Sequence, residues 1–367
     1  MLELPSMSNE TPHEEILILA KKLIKIPTTA DNIAGLNQAV VLSEQLMKGY
    51  TINKFSTDGK PSLLIHNAKP KTKQFTILLN AHLDVVQAED SAFKPIQKDG
   101  KLYGRGAYDM KSAAAVIILL YQELARKLEY PIALQLTTDE EKGSYGAKKH
   151  VDEGYRATFI LTGECGSNFR ITNQAKGVYH ARLTATGTAS HGAYAWKGDN
   201  AIMKLVAAIT RIAAKYPNPT GETWETTVNI TRLKTFNEAT NRIPDEAQAH
   251  LDIRYNPENS TILSEIISLL PADVTLHVEA HYPPLNTKPN NPYLQLLHHA
   301  SDSVLKREVG LRNAHATSDI VHFAEVGCAG VEFGPVGGNQ HSDNEWVAIQ
   351  SLSDYYQILK QFLLSIK

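Results

Sequence analysis

The sequence has few cysteines, little net charge and no long apolar segment. Its 367 residues include two cysteines, Cys165 and Cys328, and carry a formal net charge of −2 at pH 7. Two cysteines provide no disulfide framework, so we expect a reducing compartment and a cytoplasmic protein. The small net charge argues against a nucleic-acid partner. The longest apolar run, at 113–121, is shorter than the roughly 20 residues that cross a bilayer, and the N-terminal segment is polar and acidic. We therefore expect neither a membrane segment nor a signal peptide.

Apolar runs that end in polar residues mark the α/β part of the chain. Four such runs lie at residues 75–86, 130–141, 157–164 and 329–335. Unbroken apolar runs are typical of strands that are buried on both faces of a parallel sheet. Helical spacing of apolar residues occurs before the first run, at 13–26 and 36–47, and again between the first three runs. This alternation predicts a doubly wound α/β fold.

The middle of the chain has a different pattern. Between residues 177 and 283, strands with alternating polar and apolar residues enclose two helical segments, at 200–215 and 261–270. The order strand, helix, two strands, helix, strand is typical of a small ferredoxin-like α+β domain. The α/β pattern then resumes with helices at 291–305 and 352–366. We therefore predict an α/β domain of residues 1–176 and 284–367, with an inserted α+β domain of residues 177–283.

Acidic residues and histidines follow the predicted strands of the α/β domain. Asp109 stands just before a long helical segment, and the others are His82, Asp84, Asp139, Glu140, Glu141, Glu164 and His341. In an open α/β sheet the carboxyl ends of the strands form the ligand-binding edge, so these side chains could converge there. Taken alone, Asp109 could be a helix cap, the two glutamates a solvated turn, and His82 a core histidine.

Taken together, these residues indicate a metal site. Carboxylates gathered at one sheet edge would repel one another unless cations lay among them. Mixed imidazole and carboxylate ligands suit zinc, with cobalt or manganese as substitutes. Two histidines with three carboxylates exceed what one catalytic zinc ion needs, so the set suits two zinc ions per chain that share a bridging carboxylate.

At these residues the sequence resembles the dinuclear zinc exopeptidase and amidohydrolase family, which includes succinyl-diaminopimelate desuccinylase, acetylornithine deacetylase, aminoacylase and glutamate carboxypeptidase. The matching segments occur in the family order and span nearly the whole chain. They are HLDVV (82–86), GRGAYDMKS (104–112), TTDEEKGSYGA (137–147), TGE (162–164), GTASHGAYA (187–195), NRIPDEAQAHLDIRY (241–255) and GNQHSDNE (338–345). The resemblance implies a catalytic domain of the zinc-exopeptidase type, an inserted lid and dimerisation domain, and a homodimer.

The resemblance also implies a set of metal ligands. Asp109 would bridge the two zinc ions, while His82 and Glu164 would bind one ion and Glu141 and His341 the other.

Further residues receive roles in catalysis from the same resemblance. Asp84 would orient the imidazole of His82. Glu140 would be the general base, which takes a proton from the zinc-activated water and returns it to the leaving amine.

Residues of the inserted domain match positions that contact the substrate in this family. His191 matches a histidine that reaches into the partner subunit's site and stabilises the tetrahedral oxyanion; alternatively, it is a loop histidine among small residues. Arg254 and Asn241 resemble lid residues that hold a substrate carboxylate, for which the fork of an arginine is suited.

These roles imply a metal-dependent hydrolase that cleaves the amide bond of N-acyl amino acids or short peptides with a free α-carboxylate. Glu164, where other members have aspartate, favours the deacylases and carboxypeptidases, whereas Ala175, Lys176 and Gly177 replace a pair of arginines of the desuccinylase. Two alternatives stay open. One is a catalytically idle relative that binds peptides or acyl amino acids, which would have no need of Glu140, and the other is a dipeptidase or aminopeptidase of the same family.

Overall fold

The computed structural model describes residues 13–316 and 318–367. The N-terminal segment that we interpret as free of a signal peptide lies largely outside the described residues. Among the described residues, none of the helices combines the length and the apolar character needed to cross a membrane.

Helices and strands alternate along the described chain and are numbered in chain order. The helices are α1 (His13–Ile24), α2 (Ile33–Leu46), α3 (Lys111–Leu124), α4 (Tyr145–Asp152), α5 (Ala201–Lys215), α6 (Ile262–Ser268), α7 (Pro292–Leu305), α8 (Ile320–Glu325) and α9 (Ile349–Ser365). The strands are β1 (Thr51–Thr57), β2 (Lys60–His66), β3 (Gln74–His82), β4 (Ile96–Lys98), β5 (Lys101–Tyr103), β6 (Ile132–Thr137), β7 (Arg156–Thr162), β8 (Ile171–Ala175), β9 (Gly177–Thr186), β10 (Ser190–His191), β11 (Thr227–Thr235), β12 (Arg242–Ile243), β13 (Glu246–Tyr255), β14 (Val274–Tyr282), β15 (Leu285–Asn286), β16 (Leu311–Ala314), β17 (Ala329–Glu332), β18 (Gly337–Gly338) and β19 (Trp346–Ala348).

The chain forms two compact units. Unit 1 holds the described residues up to Asn173 together with Asn286–Arg312 and Ser318–Lys367. Unit 2 holds Gln174–Leu285 and the described residues from Asn313 to Ala316.

Unit 1 is built on a mixed sheet in which the strands run in the order β1-β2-β6-β3-β7-β17-β8. The four central strands, β6, β3, β7 and β17, are parallel, and they are the four apolar runs of the sequence. Successive side chains of a strand point to opposite faces of the sheet. Leu79 of β3 joins the core cluster that contains α3, whereas Asn80 bonds to Asp319, directly before α8. Helices therefore cover both faces, and the doubly wound α/β prediction is confirmed.

A hairpin and a small separate sheet of unit 1 carry no signal in the sequence analysis. β1 and β2 form an antiparallel hairpin at one end of the sheet, and its turn places both Asp58 and Gly59 at positive φ, as a two-residue hairpin turn requires. β4, β5, β19 and β18 form a separate small sheet. β1 is at most half-buried and β4 is exposed, so neither strand has the unbroken apolar run that reveals the buried strands.

Unit 2 contains an antiparallel sheet in the order β11-β13-β9-β14. Along the chain the strands of this sheet and the two helices come in the order β9, α5, β11, β13, α6 and β14, which confirms the separate α+β fold. In β13 every second residue is buried, and these residues pack with apolar residues of α5 and α6. One face of this sheet is therefore covered by its own helices.

A buried histidine links three elements of unit 1. His150 of α4 lies between β2 and β6, where its Nδ1 accepts from the Gln135 amide at 2.7 Å and its Nε2 lies 3.0 Å from Ser62 Oγ. Because Nδ1 accepts, Nε2 carries the proton and donates to the hydroxyl. Burial lowers the pKa of His150 to about 3, so the imidazole is neutral in the folded protein over most of the pH range.

We expect the neutral His150 to make the fold sensitive to acid. The folded-state pKa lies below the ordinary value of 6.5, so the unfolded chain takes up the proton first as the pH falls. The free energy of unfolding should therefore drop between about pH 6.5 and pH 3, by up to about 1.4 kcal/mol per pH unit for one proton. Urea unfolding at several pH values should show a shallower slope for His150→Gln than for the wild type. The exposed His299→Gln variant is the control, and equal slopes for all three proteins would contradict the expectation.

Candidate metal centre

The parallel strands bring the acidic residues and histidines of unit 1 to one edge of the sheet. His82 is the last residue of β3, and Glu141 lies in the 3-10 turn Glu140–Lys142 that follows β6. Glu164 comes two residues after β7. The register aligns the ends of these strands, because His82 pairs with Thr137 of β6 and Asn80 pairs with Thr162 of β7. These side chains therefore leave the sheet at the same level.

Asp109 lies between two groups of side chains. Its Oδ1 is 3.0 Å from His82 Nε2, and its Oδ2 is 3.1 Å from His341 Nε2. Glu164 Oε2 lies 3.8 Å from the same His82 nitrogen, and Glu141 Oε1 lies 3.3 Å from the same His341 nitrogen. In each group the ligand atoms lie within 4.8 Å of one another. One carboxylate thus belongs to both groups, with one oxygen for each.

The electrostatics of the cluster show how strongly it attracts positive charge. Burial by itself would raise the pKa of the Asp109 carboxyl, but hydrogen bonds with His341 and His82 outweigh burial and hold that pKa below its usual range. Hydrogen bonds with Asp109 and Glu141 raise the pKa of His341 to about 10. Burial would lower the pKa of His82, but the carboxylates around it raise the pKa overall. A site that holds protons on its histidines in this way is also a place for cations.

Asp84 is a fully buried carboxylate beneath the cluster. Its Oδ1 and Oδ2 accept from the backbone N–H groups of Glu140 (3.3 Å) and Glu141 (3.0 Å). The ring of His82 approaches it as well, because Nδ1 lies 3.1 Å from the Asp84 carbonyl oxygen and 3.6 Å from Oδ1. Asp84 therefore fixes the position of both the histidine and the turn with the two glutamates.

Glu140 lies in the same turn as Glu141 but belongs to neither group of ligand atoms. Burial is the largest cause that raises the pKa of Glu140 well above its usual value; His82 opposes the rise, and Glu164 adds to it. A carboxylate with a raised pKa is a stronger base, as is needed for proton transfer from water near neutral pH.

The helix-cap alternative for Asp109 does not describe the structure. α3 begins at Lys111, and its N-cap residue is Met110. The carboxyl of Asp109 instead faces the two histidines.

Unit 2 contains the remaining predicted residues. His191 and Asn241 lie at adjoining places, because β10 pairs with β12 and Gly192 N–H donates to the Asn241 carbonyl. His191 is exposed, and its Nδ1 accepts from Ala193 N–H at 3.0 Å, so Nε2 carries the proton.

Arg254 lies elsewhere in unit 2. Its Nε and Nη2 donate to the two oxygens of Asp252, at 2.8 and 2.9 Å. It lines a cavity of about 220 Å³ with Lys176, Thr223 and His315 among others, and Asn241 is not among the lining residues. The structure thus places Arg254 beside an internal carboxylate rather than in a cavity shared with Asn241.

The sequence profile of the peptidase family M20/M25/M40 matches residues 78–365. The chain belongs to this family. The match covers all the residues of the two groups around Asp109. Dinuclear metal binding is typical of M20 proteins, and the protein is an enzyme of this family of metal-dependent peptidases and amidohydrolases.

Succinyl-diaminopimelate desuccinylases are similar to this M20 protein over nearly its whole length. A succinyl-diaminopimelate desuccinylase from Xylella fastidiosa is 29% identical, with 96% of this chain and 99% of the relative covered. The corresponding protein from Nitratiruptor sp. is 25% identical, with 96% and 100% covered. The resemblance drawn from the motifs is therefore confirmed.

Solved structures show the same fold. An aminopeptidase from Bacillus cereus matches with a TM-score of 0.77 at 19% identity, with 96% of this chain and 98% of that structure covered. An M20 family metallo-carboxypeptidase from Sulfolobus solfataricus matches with a TM-score of 0.70 at 18% identity, with 95% and 98% covered. At these identities the likeness establishes the M20 fold alone.

One residue of this M20 site received no role in the sequence analysis. Glu345 is buried and accepts the backbone N–H groups of Gly106 (3.1 Å), Tyr108 (2.8 Å) and Asp109 (2.9 Å). Its Oε2 also forms a buried ion pair with Arg105 at 2.9 Å. Glu345 thereby fixes the loop that presents Asp109 to both histidines. It lies within the segment GNQHSDNE, but its bonds to backbone far along the chain leave no local pattern.

We expect Glu345→Gln to weaken metal binding although Glu345 is not a ligand. The amide offers one acceptor oxygen instead of two and leaves Arg105 without its counter-charge, so the Asp109 loop should loosen. Zinc affinity, measured by competition with a chromophoric chelator, should fall by about tenfold to a hundredfold.

The matched control is Asp354→Asn on α9, where the carboxyl accepts from Gln350 at the surface. Unchanged zinc affinity in a folded Glu345→Gln protein would show that the loop does not need this carboxylate.

Proposed function

We propose that this M20 protein hydrolyses the amide bond of N-acyl amino acids or short peptides that have a free α-carboxylate, with two zinc ions per chain as its cofactor. The observation that supports this most strongly is the Asp109 carboxylate, which offers one oxygen to each of two three-residue groups. The similarity to the desuccinylases, whose name describes removal of an acyl group, favours deacylation over other reactions of the family.

The donor set suits a pair of zinc ions. Imidazole nitrogen and carboxylate oxygen are zinc ligands, and cobalt or manganese could replace zinc. Two oxygens of the set, Glu141 Oε1 and Glu164 Oε2, are buried and make no well-formed hydrogen bond among the described residues; the histidine nitrogens near them lie at 3.3 and 3.8 Å. Buried charged oxygens are costly unless they are paired or coordinate a metal. His82, Asp109 and Glu164 would hold one ion, and Asp109, Glu141 and His341 the other.

Bound zinc lowers the pKa of water toward about 7 and polarises a carbonyl group. Glu140 acts as the general base in this proposal. Its carboxylate accepts a proton from the attacking water and later donates it to the nitrogen of the leaving amine. Asp84 holds the turn of Glu140 in place through the backbone N–H groups, so the base stays beside the ligands without being one.

His191 donates a hydrogen bond to the oxyanion in this proposal. Its tautomer fits the task, because Nδ1 accepts from Ala193 and leaves Nε2–H as a donor. We propose that it acts in the site of a partner subunit, in a homodimer. Unit 2 offers an exposed apolar strip on α5 that includes Met203 and Val206, and such a strip supports an interface with a second copy.

Arg254 and Asn241 bind the α-carboxylate of the substrate in this proposal. A guanidinium has five N–H donors, and Asp252 accepts from Nε and from Nη2 of Arg254. The Nη1 donors therefore stay available to a substrate carboxylate.

We also propose a cytoplasmic location for the protein. Its two free cysteines, Cys165 and Cys328, agree with a reducing environment.

We expect two zinc ions per chain at saturation. Elemental analysis of protein that is stripped of metal, reloaded with zinc and desalted should give this stoichiometry. Glu141→Gln removes a ligand of one group and should bring the count toward one, whereas Asp109→Ala removes the shared carboxylate and should weaken both sites. A saturating count of one in the wild type would contradict the dinuclear proposal.

We expect Glu140→Gln to abolish most of the activity and to keep the metal. Glutamine is nearly isosteric with glutamate but cannot accept the proton, so kcat should fall by about 10² to 10⁴, the usual contribution of a general base. The measurement is amine release from N-acetyl, N-succinyl and dipeptide substrates, together with metal content. Full activity with two zinc ions bound would overturn the role of Glu140 and would leave the ligand assignment intact.

A further inference from the structure

Arg312 is a cation of unit 1 that has no acidic partner among the described residues. It lies in β16 and is half-buried. In the part of the chain that the structure describes, no carboxylate lies within ion-pair distance of its guanidinium and none of its donors makes a side-chain hydrogen bond. A guanidinium has five N–H donors and is always charged, so without a counter-charge it can attract an anion. The fold therefore presents a guanidinium whose donors are open to a ligand.

The guanidinium lies against the loop that follows Glu164. A methyl group at Gly166 would be 3.1 Å from Nη1 and 3.7 Å from Nη2 of Arg312, so the absence of a side chain lets the planar group approach the backbone. Gly166 is two residues from Glu164, which limits the distance between their Cα atoms to about 7 Å. Arg312 is thus a near neighbour of the His82 group.

Arg312 also lies near the second group of metal ligands, which contains His341. Gln340 Oε1 is 3.7 Å from the same point beside Gly166, and Gln340 directly precedes His341. The hydroxyl of Tyr108, the residue before Asp109, accepts from the N–H of the same Gly166 at 2.7 Å. Gly166, Gln340 and Tyr108 therefore place the guanidinium among three loops that carry metal ligands, on the same unit as the metal centre.

The acidic residues near Arg312 that the structure describes do not balance its charge. Glu332 is influenced by its charge, but the Glu332 carboxyl accepts from Ser318 Oγ at 2.7 Å and does not approach the arginine within ion-pair distance. Arg254 is in a different situation, because Asp252 already supplies its counter-charge.

We propose that Arg312 binds a carboxylate of the substrate and selects for anionic substrates. This inference rests on the proposed function. A guanidinium can hold a carboxylate by two parallel hydrogen bonds, and substrates of this class offer two sources. One is the α-carboxylate of the amino acid, and the other is a carboxylate at the far end of a dicarboxylic acyl group. Arg312 acts in recognition and takes no part in bond cleavage.

The test compares matched substrates with the zinc-loaded enzyme. N-succinyl and N-acetyl amino acids are assayed beside two analogues, one with the acyl carboxylate and one with the α-carboxylate converted to a carboxamide. The variants are Arg312→Gln, which removes the charge, and Arg312→Lys, which keeps the charge but loses the fork. Arg307→Gln is the control, because Arg307 is exposed and bonds to the Glu308 carbonyl.

We expect Arg312→Gln to lower kcat/KM about tenfold to a hundredfold for the acid and hardly at all for its carboxamide. The loss should lie mainly in KM, and Arg312→Lys should recover part of it. Loss of discrimination at the acyl end or at the α-carboxylate identifies the source of the carboxylate, and either result supports the proposal. Equal discrimination by wild type and Arg312→Gln at both ends would overturn it, as would a fall in thermal stability with discrimination unchanged.

A binding experiment separates this proposal from the proposed function. Calorimetry with succinate as the probe should give a dissociation constant that is about tenfold to a hundredfold higher for zinc-loaded Arg312→Gln than for the wild type or Arg307→Gln. If the wild type cleaves no N-acyl substrate but binds succinate through Arg312, the proposed function fails and the anion site stands. If it cleaves the substrates and the three proteins bind succinate alike, Arg312 is not the anchor.

Discussion

Negative charge gathered at one edge of the sheet is the constraint on which the rest of unit 1 depends. Parallel strands deliver carboxylates to the same edge, where burial makes an unpaired charge costly. The structure satisfies these carboxylates in two different ways. Asp84 and Glu345 accept from backbone N–H groups, whereas the buried oxygens Glu141 Oε1 and Glu164 Oε2 have only histidine nitrogens near them, at 3.3 and 3.8 Å, and make no well-formed hydrogen bond among the described residues. The carboxylates that support the site are neutralised by the protein, and those that would bind metal are left for cations.

The use of backbone donors has a geometric consequence. A side-chain cation can move with its rotamers, but an N–H group is fixed by the chain, so a carboxylate that binds several N–H groups fixes a whole loop. Glu345 fixes the loop of Gly106 to Asp109 in this way, and Asp84 fixes the turn of the two glutamates. Gly106 has φ +84°, and a Cβ there would lie 2.8 Å from Lys111 Cδ and 2.9 Å from Val85 Cγ1. A larger residue would be strained at this φ and would clash with these side chains, which explains the second glycine of GRGA, Gly106.

Much of this arrangement could be predicted from the sequence, because its signals are local. Buried parallel strands are unbroken apolar runs, and the acids and histidines directly follow them, so the convergence of His82, Glu141 and Glu164 follows from topology alone. The roles of Glu345 and Arg312 could not be predicted in the same way. Glu345 acts on backbone more than 230 residues away, and Arg312 is defined by the lack of an acidic partner in the part of the chain that the structure describes. The strands β1 and β4 could not be predicted because β1 is only partly buried and β4 is exposed, so neither contains an unbroken apolar run.

The two arginines that we propose to bind substrate differ in whether their charge is already balanced by a carboxylate. Arg254 forms an ion pair with Asp252, so the pair as a whole is nearly neutral, and a substrate carboxylate would gain hydrogen bonds there but little net Coulomb attraction. Arg312 has no such partner among the described residues, so a carboxylate bound to it would gain both. Selection between a carboxylic acid and its amide depends mainly on Coulomb attraction to the arginine, because the amide can still accept hydrogen bonds. On this reasoning the proposed selection for anionic substrates depends on Arg312, because Asp252 already supplies the counter-charge of Arg254 and no carboxylate among the described residues supplies that of Arg312.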